Sequence, residues 1–169
     1  MKKKTAMEIT GKVHCLFEQS GTFKNQFRAL GYEAFDYDID NLYSQTDNVI
    51  DLFKEIEQGY GGQPSIFDGI GQDDLIMAFF PCTYFSGIQT NFYMLSSYIK
   101  GKVRELDYAI ERAKKRNEYH VLLYKLYGIA LQRGLRLVIE NPWSFQSYLT
   151  AAGNFPNPAL IEQGQEHEG

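Results

Sequence analysis

Cysteine is scarce in this chain, which has only Cys15 and Cys82 among its 169 residues. Two cysteines are too few for the disulfide framework that stabilises many small secreted domains. The three histidines, His14, His120 and His167, are scattered and do not form a zinc-binding pattern with the cysteines. We therefore expect no metal site and two reduced thiols.

Long apolar runs are missing as well. No stretch of eighteen or more apolar residues is present to span a membrane, and no apolar segment follows the basic start Met1-Lys2-Lys3-Lys4 to form a signal peptide. We therefore expect a cytoplasmic protein with no membrane partner.

The chain also has no excess of positive charge. The net charge of −4 gives no general attraction to nucleic acid, so contact with DNA requires a local basic patch.

Apolar and aromatic residues are plentiful, at 44% and 15%, which is typical of a globular domain rather than a disordered chain. A chain of 169 residues buries about 70% of its unfolded surface when it folds as one domain. Predicted strands alternate with predicted helices, which favours an α/β fold with a mostly parallel, doubly wound sheet. We expect the folded domain to span residues 1–150 and the polar tail, residues 151–169, to be frayed.

Residues 13–23 predict a short strand, a turn around Gly21 and the start of a helix capped by Ser20 or Thr22. In that helix the spacing of the apolar side chains predicts a buried stripe, with two basic side chains on the outer face and a glycine at the end. The stripe is Phe23, Phe27 and Leu30, the basic pair is Lys24 and Arg28, and the terminator is Gly31.

A second strand, residues 32–37, runs into the acidic sequence Asp36-Tyr37-Asp38-Ile39-Asp40. Nucleoside-binding α/β folds hold a ribose on a carboxylate at the end of this strand, whereas a solvated acidic turn has the same composition. The sequence leaves both interpretations open.

The middle of the chain predicts further alternation of strands and helices. Asp47 is expected to cap a helix, and residues 65–67 to form a short third strand before Asp68.

A long loop is expected over residues 87–101. Two helices are expected after it, at residues 102–116 and 119–133, and Gly134 is expected to end the second. The first of these is either a solvated face or a surface that meets phosphates. Its basic side chains are Lys102, Arg104, Arg112, Lys114, Lys115 and Arg116.

Two strand-like runs end on side chains that can carry chemistry. Residues 74–80 lead into Pro81-Cys82, and residues 135–139 lead into Glu140-Asn141. Ligands of open α/β sheets bind outside the carboxyl ends of the strands, so a thiol or a carboxylate there can meet a substrate. A lone cysteine is more often a small buried hydrophobe, and Cys82 by itself does not establish a nucleophile.

Taken in order, these motifs resemble the cofactor and catalytic motifs of the cytosine-5 DNA methyltransferases, in particular a divergent phage or prophage type of that family. The resemblance covers roughly residues 13–143. It rests on Leu16-Phe17 with Gly21 and Phe23, on Asp38-Ile39-Asp40, on Asp74-Leu75 with Pro81-Cys82 and Phe85-Ser86, and on Glu140-Asn141.

The resemblance implies an enzyme with a Rossmann-like fold that transfers a methyl group from S-adenosylmethionine to carbon 5 of cytosine in DNA. Cys82 would add to carbon 6 of the base. Glu140, expected to be partly buried, would hold the ring at nitrogen 3 and at the exocyclic amine.

The resemblance also assigns residues to the cofactor. The ribose of S-adenosylmethionine would lie on Asp38, and its amino-acid end would lie near the Gly21 turn. The adenine would contact Phe17 and Ile39, with Asp68 nearby.

The chain departs from the family in several places. Cys15 and Gln19 stand where members usually have an acidic residue and a glycine, and the family's Pro-Cys-Gln is Pro81-Cys82-Thr83. Nothing after Trp143 resembles the target-recognition region, the arginine motif or the closing strands of the sheet. Two alternatives therefore stay open: a methyltransferase for free pyrimidine nucleotides or single-stranded nucleic acid, and a catalytically inactive cofactor-binding fragment. The oligomeric state is also open.

Overall fold

The computed structural model describes residues 9–84 and 103–140. The described residues divide into two compact units, one containing residues 9–81 and 117–140, the other containing residues 82–84 and 103–116. The predicted loop at 87–101, Asn141, the domain boundary at residue 150 and the tail at 151–169 lie outside the described residues.

The first unit contains a five-stranded parallel sheet with the strand order β3-β2-β1-β4-β5. The strands are β1 (Val13–Leu16), β2 (Ala34–Asp38), β3 (Asn48–Val49), β4 (Leu75–Ala78) and β5 (Arg136–Ile139). The predicted α/β class and the parallel sheet are thus confirmed for the part of the chain that the structure describes. β1 is central, with β2 on one side and β4 on the other, so the chain reverses its winding direction between β1 and β4.

The helices are α1 (Thr22–Ala29), α2 (Leu52–Tyr60) and α3 (Val103–Arg133), with a short 3-10 helix at Ile66–Gly69. The two helices predicted at 102–116 and 119–133 form the single helix α3, because no glycine or proline stands between Arg116 and Tyr119 to end the first one. Gly134, with a φ of 68°, follows the helix as predicted.

Two predictions for the region between β2 and β4 are wrong. The cap of α2 is Asp51, whose carboxylate accepts hydrogen bonds from Phe53 N and Lys54 N, and not Asp47. Residues 65–67 do not form a strand, because Asp68 Oδ2 accepts a hydrogen bond from Ser65 N and the chain turns into the 3-10 helix. The third strand is instead Asn48–Val49, which pairs with the end of β2.

Helices pack on both faces of the sheet, which is the doubly wound arrangement expected from the sequence. After β4, the ring of Phe79 lies 4.2 Å from that of Phe23 in α1. The next ring, Phe80, faces the other way and contacts Phe53 of α2 and Tyr119 of α3 at 6.1 and 6.2 Å. Phe80, which is 1% exposed, contributes about 1.5–3 kcal/mol by its burial.

The predicted orientation of α1 is wrong in part. Phe23 and Leu30 are 43% and 73% exposed, whereas Lys24, expected outside, is only 2% exposed. The cause is Asp36 in β2, which is completely buried and requires a positive partner. Lys24 Nζ lies 2.9 Å from Asp36 Oδ2 and 3.1 Å from Asp47 Oδ1, and α1 is thereby tied to β2 and to the loop that follows it.

On the other face of β1, a buried histidine joins three strands. His14 Nε2 lies 3.4 Å from Asp74 Oδ2, just before β4, and Nδ1 lies 2.9 Å from the Tyr37 hydroxyl in β2. A carboxylate only accepts, so Nε2 carries the proton and Nδ1 accepts from Tyr37. Burial lowers the pKa of His14 and raises the pKa of Tyr37 to about 12.

His14→Gln is expected to flatten the pH dependence of stability between pH 7 and pH 5. In the wild type the folded-state pKa of His14 lies below 6.5, so the folded protein binds fewer protons than the unfolded chain as the pH falls. The free energy of unfolding therefore has its full value above about pH 6.5 and decreases below it, by at most about 1.4 kcal/mol per pH unit from this group. Glutamine keeps a donor and an acceptor but does not titrate. Urea unfolding of both proteins at pH 5, 6 and 7 measures the difference, and equal slopes would contradict the prediction.

Candidate functional site

The switch between β1 and β4 creates the edge at which open parallel sheets bind ligands. Leu16 and Ala78 are register partners at the carboxyl ends of these strands, and Phe79 N donates to Leu16 O at 2.9 Å. The loop from β1 to α1 leaves the sheet at this point. The candidate site is therefore built from that loop and from the end of β2 beside it.

Phe17 begins the loop in a conformation that is rare for a side chain of its size. Its φ is 61°, its N–H donates to Tyr37 O at 2.8 Å, and its ring packs against Phe53 and Phe80 at 5.7 and 5.2 Å. A left-handed conformation costs a residue other than glycine about 1–3 kcal/mol and occurs preferentially at ligand sites. The half-buried ring supplies an apolar surface at the switch point.

Glu18 is a residue that the sequence interpretation missed. Its Oε1 accepts hydrogen bonds from Ser20 N at 3.0 Å and Thr22 N at 3.2 Å, and also from the Ser20 hydroxyl. Glu18 therefore binds the first N–H of α1, that of Thr22, and the Ser20 hydroxyl accepts from the same N–H at 3.2 Å. The predicted cap is wrong in position, because the N-cap residue is Gly21, but Ser20 does bind the start of the helix. An acidic residue between a strand and a helix start was the available signal, but only the fold reveals that Glu18 is buried, at 5% exposure.

Gly21 makes the turn into α1 that the sequence predicted. It is the N-cap residue, with a φ of 70°, which glycine adopts without strain. A Cβ at this position would also lie 3.1 Å from Gln45 Cβ and 3.2 Å from Asn25 Nδ2. The backbone conformation therefore favours glycine, and any larger residue would also require the Gln45 and Asn25 side chains to shift.

Asp38 ends β2 next to this loop and is half-buried. Its Oδ1 accepts a hydrogen bond from Asp40 N at 2.9 Å. Burial raises the pKa of Asp38, and the negative charges of Asp40 and Glu18 raise it further. Ile39 follows with 61% of its surface exposed. The structure thus brings Phe17, Glu18, Gly21 and Asp38 together at the ends of β1 and β2.

Asp68 has structural partners. Its Oδ2 accepts from Ser65 N at 2.8 Å, and its Oδ1 accepts from Arg133 Nη1 at 2.6 Å. These two bonds lower the pKa of the Asp68 carboxyl. No described hydrogen bond or ion pair joins it to Asp38 or Ile39, and its role beside the adenine stays a prediction.

The predicted catalytic residues follow neighbouring strands. Glu140 N donates to Ala78 O at 2.9 Å, so Glu140 stands at the end of β5 beside the end of β4, with an exposed rather than partly buried side chain. Cys82 is exposed and belongs to the second compact unit. Cys15 is completely buried, and burial raises its pKa to about 12. The exposure of Cys82 argues against the alternative that it is a buried hydrophobe.

The basic segment of α3 is only partly described. Lys114 pairs with Glu111 at 2.8 Å, Lys115 is exposed, and the Arg112 guanidinium lies over the Tyr84 ring at 5.3 Å from its centre. The segment is therefore a mixed-charge surface where its side chains are described, and its contact with DNA stays a prediction.

Two further findings concern metals and membranes. Among the side chains that the structure describes, no three histidine, cysteine or acidic groups come together as metal ligands do. Within the same ranges, no helix combines the length and the apolar character needed to cross a bilayer.

Comparison with known proteins gives no further guide. No family model matches the chain, no curated protein matches it, and no solved structure matches it. Inference about function therefore rests on the topology and on the side chains at the carboxyl edge of the sheet.

Proposed function

We propose that the chain is a Rossmann-like, S-adenosylmethionine-dependent methyltransferase that acts on carbon 5 of cytosine in DNA through a transient Cys82 adduct. The observation that carries the proposal is the parallel order β3-β2-β1-β4-β5. It gives the sheet a switch point at the end of β1, and the motifs that resemble the family follow β1, β2, β4 and β5 in the expected order.

The side chains around the switch point fit this cofactor better than one that carries phosphates. Glu18 and Asp38 are hydrogen-bond acceptors, and Phe17 and Ile39 are apolar. The start of α1, where phosphate binds in many nucleotide sites, instead holds the Glu18 carboxylate, which accepts a hydrogen bond from Thr22 N and would repel a phosphate. The nearby Lys24 is held in a buried ion pair with Asp36. A nucleoside that offers hydroxyl and ammonium groups is therefore favoured.

In this proposal each part of the cofactor meets a matching group. Asp38 accepts hydrogen bonds from the ribose hydroxyls, Phe17 and Ile39 contact the adenine, and the Gly21 turn lies by the amino-acid end. When bound, S-adenosylmethionine supplies an electrophilic methyl group.

The residues proposed for catalysis act on the base. The Cys82 thiolate adds to carbon 6, and the electron pair of the 5,6 double bond becomes available at carbon 5. Glu140 holds nitrogen 3 and the exocyclic amine. Transfer of the methyl group to carbon 5 would leave S-adenosylhomocysteine. Water would then take the proton of carbon 5, the electron pair would re-form the 5,6 double bond, and the bond from carbon 6 to sulfur would break, which restores the thiolate. A base in duplex DNA must first leave the stack, at a cost of a few kcal/mol.

Isothermal titration calorimetry with S-adenosylmethionine and S-adenosylhomocysteine tests the cofactor assignment. We expect one site per chain and a rise in the melting temperature with either ligand. If neither ligand gives a binding heat or a shift in the melting temperature, the proposed function is overturned.

Asp38→Ala is expected to weaken the binding of S-adenosylhomocysteine by about 1–3 kcal/mol, because the ribose hydroxyls lose an ionised acceptor. Asp40→Ala is the matched control, since Asp40 is exposed and contacts Asp38 through its backbone. It should bind the ligand within about 0.5 kcal/mol of the wild type. An unchanged affinity in the Asp38 variant would mean that the acidic turn is solvated surface only.

A further inference from the structure

Two buried acceptors without donors belong to consecutive residues at the end of β1. Glu18 Oε2 and Gln19 Oε1 are buried and have no hydrogen-bond partner in the described part of the chain. A buried acceptor left unpaired costs about 1–3 kcal/mol, and more when it is charged. Folded proteins leave few such groups, and those that persist commonly meet a ligand, a water or an ion.

The Glu18 carboxylate is also held in one position. Its Oε1 accepts from Ser20 N and Thr22 N, so the carboxyl group is fixed across the start of α1 while Oε2 stays unpaired. None of the ion pairs between side chains that the structure describes involves Glu18. The two basic side chains of α1, Lys24 and Arg28, are paired with Asp36 and Asp47.

The surroundings of Glu18 favour a positively charged group. Glu18 is close enough to Asp38 for its charge to raise the pKa of that carboxyl, and Asp40 adds a third negative charge. The amide oxygen of Gln19 is an acceptor as well. A ligand with a primary ammonium group supplies several N–H donors and a positive charge, whereas a phosphate supplies neither.

We propose that Glu18 is a cofactor-binding residue whose Oε2, together with Gln19 Oε1, accepts hydrogen bonds from the primary ammonium group of the cofactor's amino-acid end. The site thereby selects adenine nucleosides that carry a cationic amine over those that lack one. This assignment rests on the proposed function and adds to it the group that determines ligand choice.

Calorimetry with three adenosyl compounds tests the proposal. S-Adenosylhomocysteine and decarboxylated S-adenosylmethionine carry the amine, and 5′-methylthioadenosine has the adenine, ribose and sulfur without it. The wild type should bind the first two at least about 10-fold more tightly than the third. Glu18→Gln should weaken the binding of both amine-bearing ligands by about 10- to 100-fold. Its affinity for 5′-methylthioadenosine should stay within about twofold of the wild type.

Glu33→Gln is the matched control, because Glu33 is an exposed glutamate paired with Lys12, and it should bind all three compounds like the wild type. Glutamine at position 18 retains an oxygen for Ser20 N and Thr22 N, and thermal unfolding checks that the variant is folded. If it is not, Gln19→Met provides the test, since it removes one acceptor without touching the cap. Gln19→Met should weaken the binding of the amine-bearing ligands only, by about threefold to 10-fold.

The outcomes separate the two proposals. If the wild type binds none of the three compounds, the proposed function fails and the role of Glu18 fails with it. If S-adenosylhomocysteine binds but 5′-methylthioadenosine binds equally well, or if Glu18→Gln binds both like the wild type, the role of Glu18 alone is overturned.

Discussion

Cys82→Ser is expected to abolish covalent trapping of the protein on a DNA strand that carries 5-fluorocytosine, in the presence of S-adenosylmethionine. Fluorine at carbon 5 cannot leave as a proton does, so the elimination that normally releases the thiol is blocked. The wild type should therefore remain attached to the DNA on a denaturing gel. Serine at position 82 leaves only an unactivated hydroxyl, which is a far weaker nucleophile than a thiolate.

Cys15→Ala is the control for general thiol damage. Cys15 is completely buried and its pKa is raised to about 12, so it supplies no thiolate near neutral pH. This variant should be trapped like the wild type. Adduct formation that persists in Cys82→Ser would show that the Pro81-Cys82 step is structural and that the chemistry belongs elsewhere.

The same assay distinguishes the proposed substrates. Duplex DNA, single-stranded DNA and the free nucleotide, each with 5-fluorocytosine, are offered separately. Trapping of the free nucleotide alone would make the protein a nucleotide methyltransferase. Cofactor binding without trapping on any of the three would instead support the inactive cofactor-binding fragment.

Much of the fold was predictable because its signals are local. The apolar runs that became β1, β4 and β5, and the glycines at positions 21 and 134, can be recognised from a few neighbouring residues. Alternation of such runs with helical segments is enough to predict a parallel sheet. Elements that are defined by contacts with distant parts of the chain could not be predicted in this way. β3 has only two residues, too few for any periodicity, and it is defined by its pairing with β2.

In the candidate site, too, the residues with a local sequence signal were predicted and those that depend on the fold were not. Gly21 and Asp38 were found because a turn and an acidic strand end are visible in the sequence. Glu18 was not, because one glutamate after a strand has the composition of ordinary surface. Its importance follows from its burial and from an oxygen without a donor, which only the folded chain reveals.

Lys24 is the clearest case in which tertiary structure overrides the pattern. The apolar spacing of α1 predicts that Lys24 faces solvent, as lysines nearly always do. The fold instead presents the completely buried Asp36 to α1. The ammonium group of Lys24 lies against the Asp36 carboxylate and also donates a hydrogen bond to Gln45 O. A hydrophobic periodicity cannot anticipate a buried charge on another strand.

Lys24→Met is expected to lower the free energy of unfolding by about 3–5 kcal/mol, because it leaves the buried Asp36 carboxylate without a positive partner. Urea unfolding monitored by circular dichroism measures the loss. Lys12→Met is the matched control. Lys12 pairs with Glu33 at 3.1 Å, but these side chains are 49% and 58% exposed, and such a pair contributes about 0–1 kcal/mol.

A second substitution shows whether the loss comes from the unpaired charge. Asp36 Oδ1 accepts a hydrogen bond from Asp47 N at 2.6 Å, and asparagine at position 36 can retain that bond without the charge. Lys24→Met with Asp36→Asn should therefore be more stable than Lys24→Met alone, although it lacks one more native group. If the double variant is the less stable of the two, the loss comes from the packing of the Lys24 side chain and not from an unpaired charge.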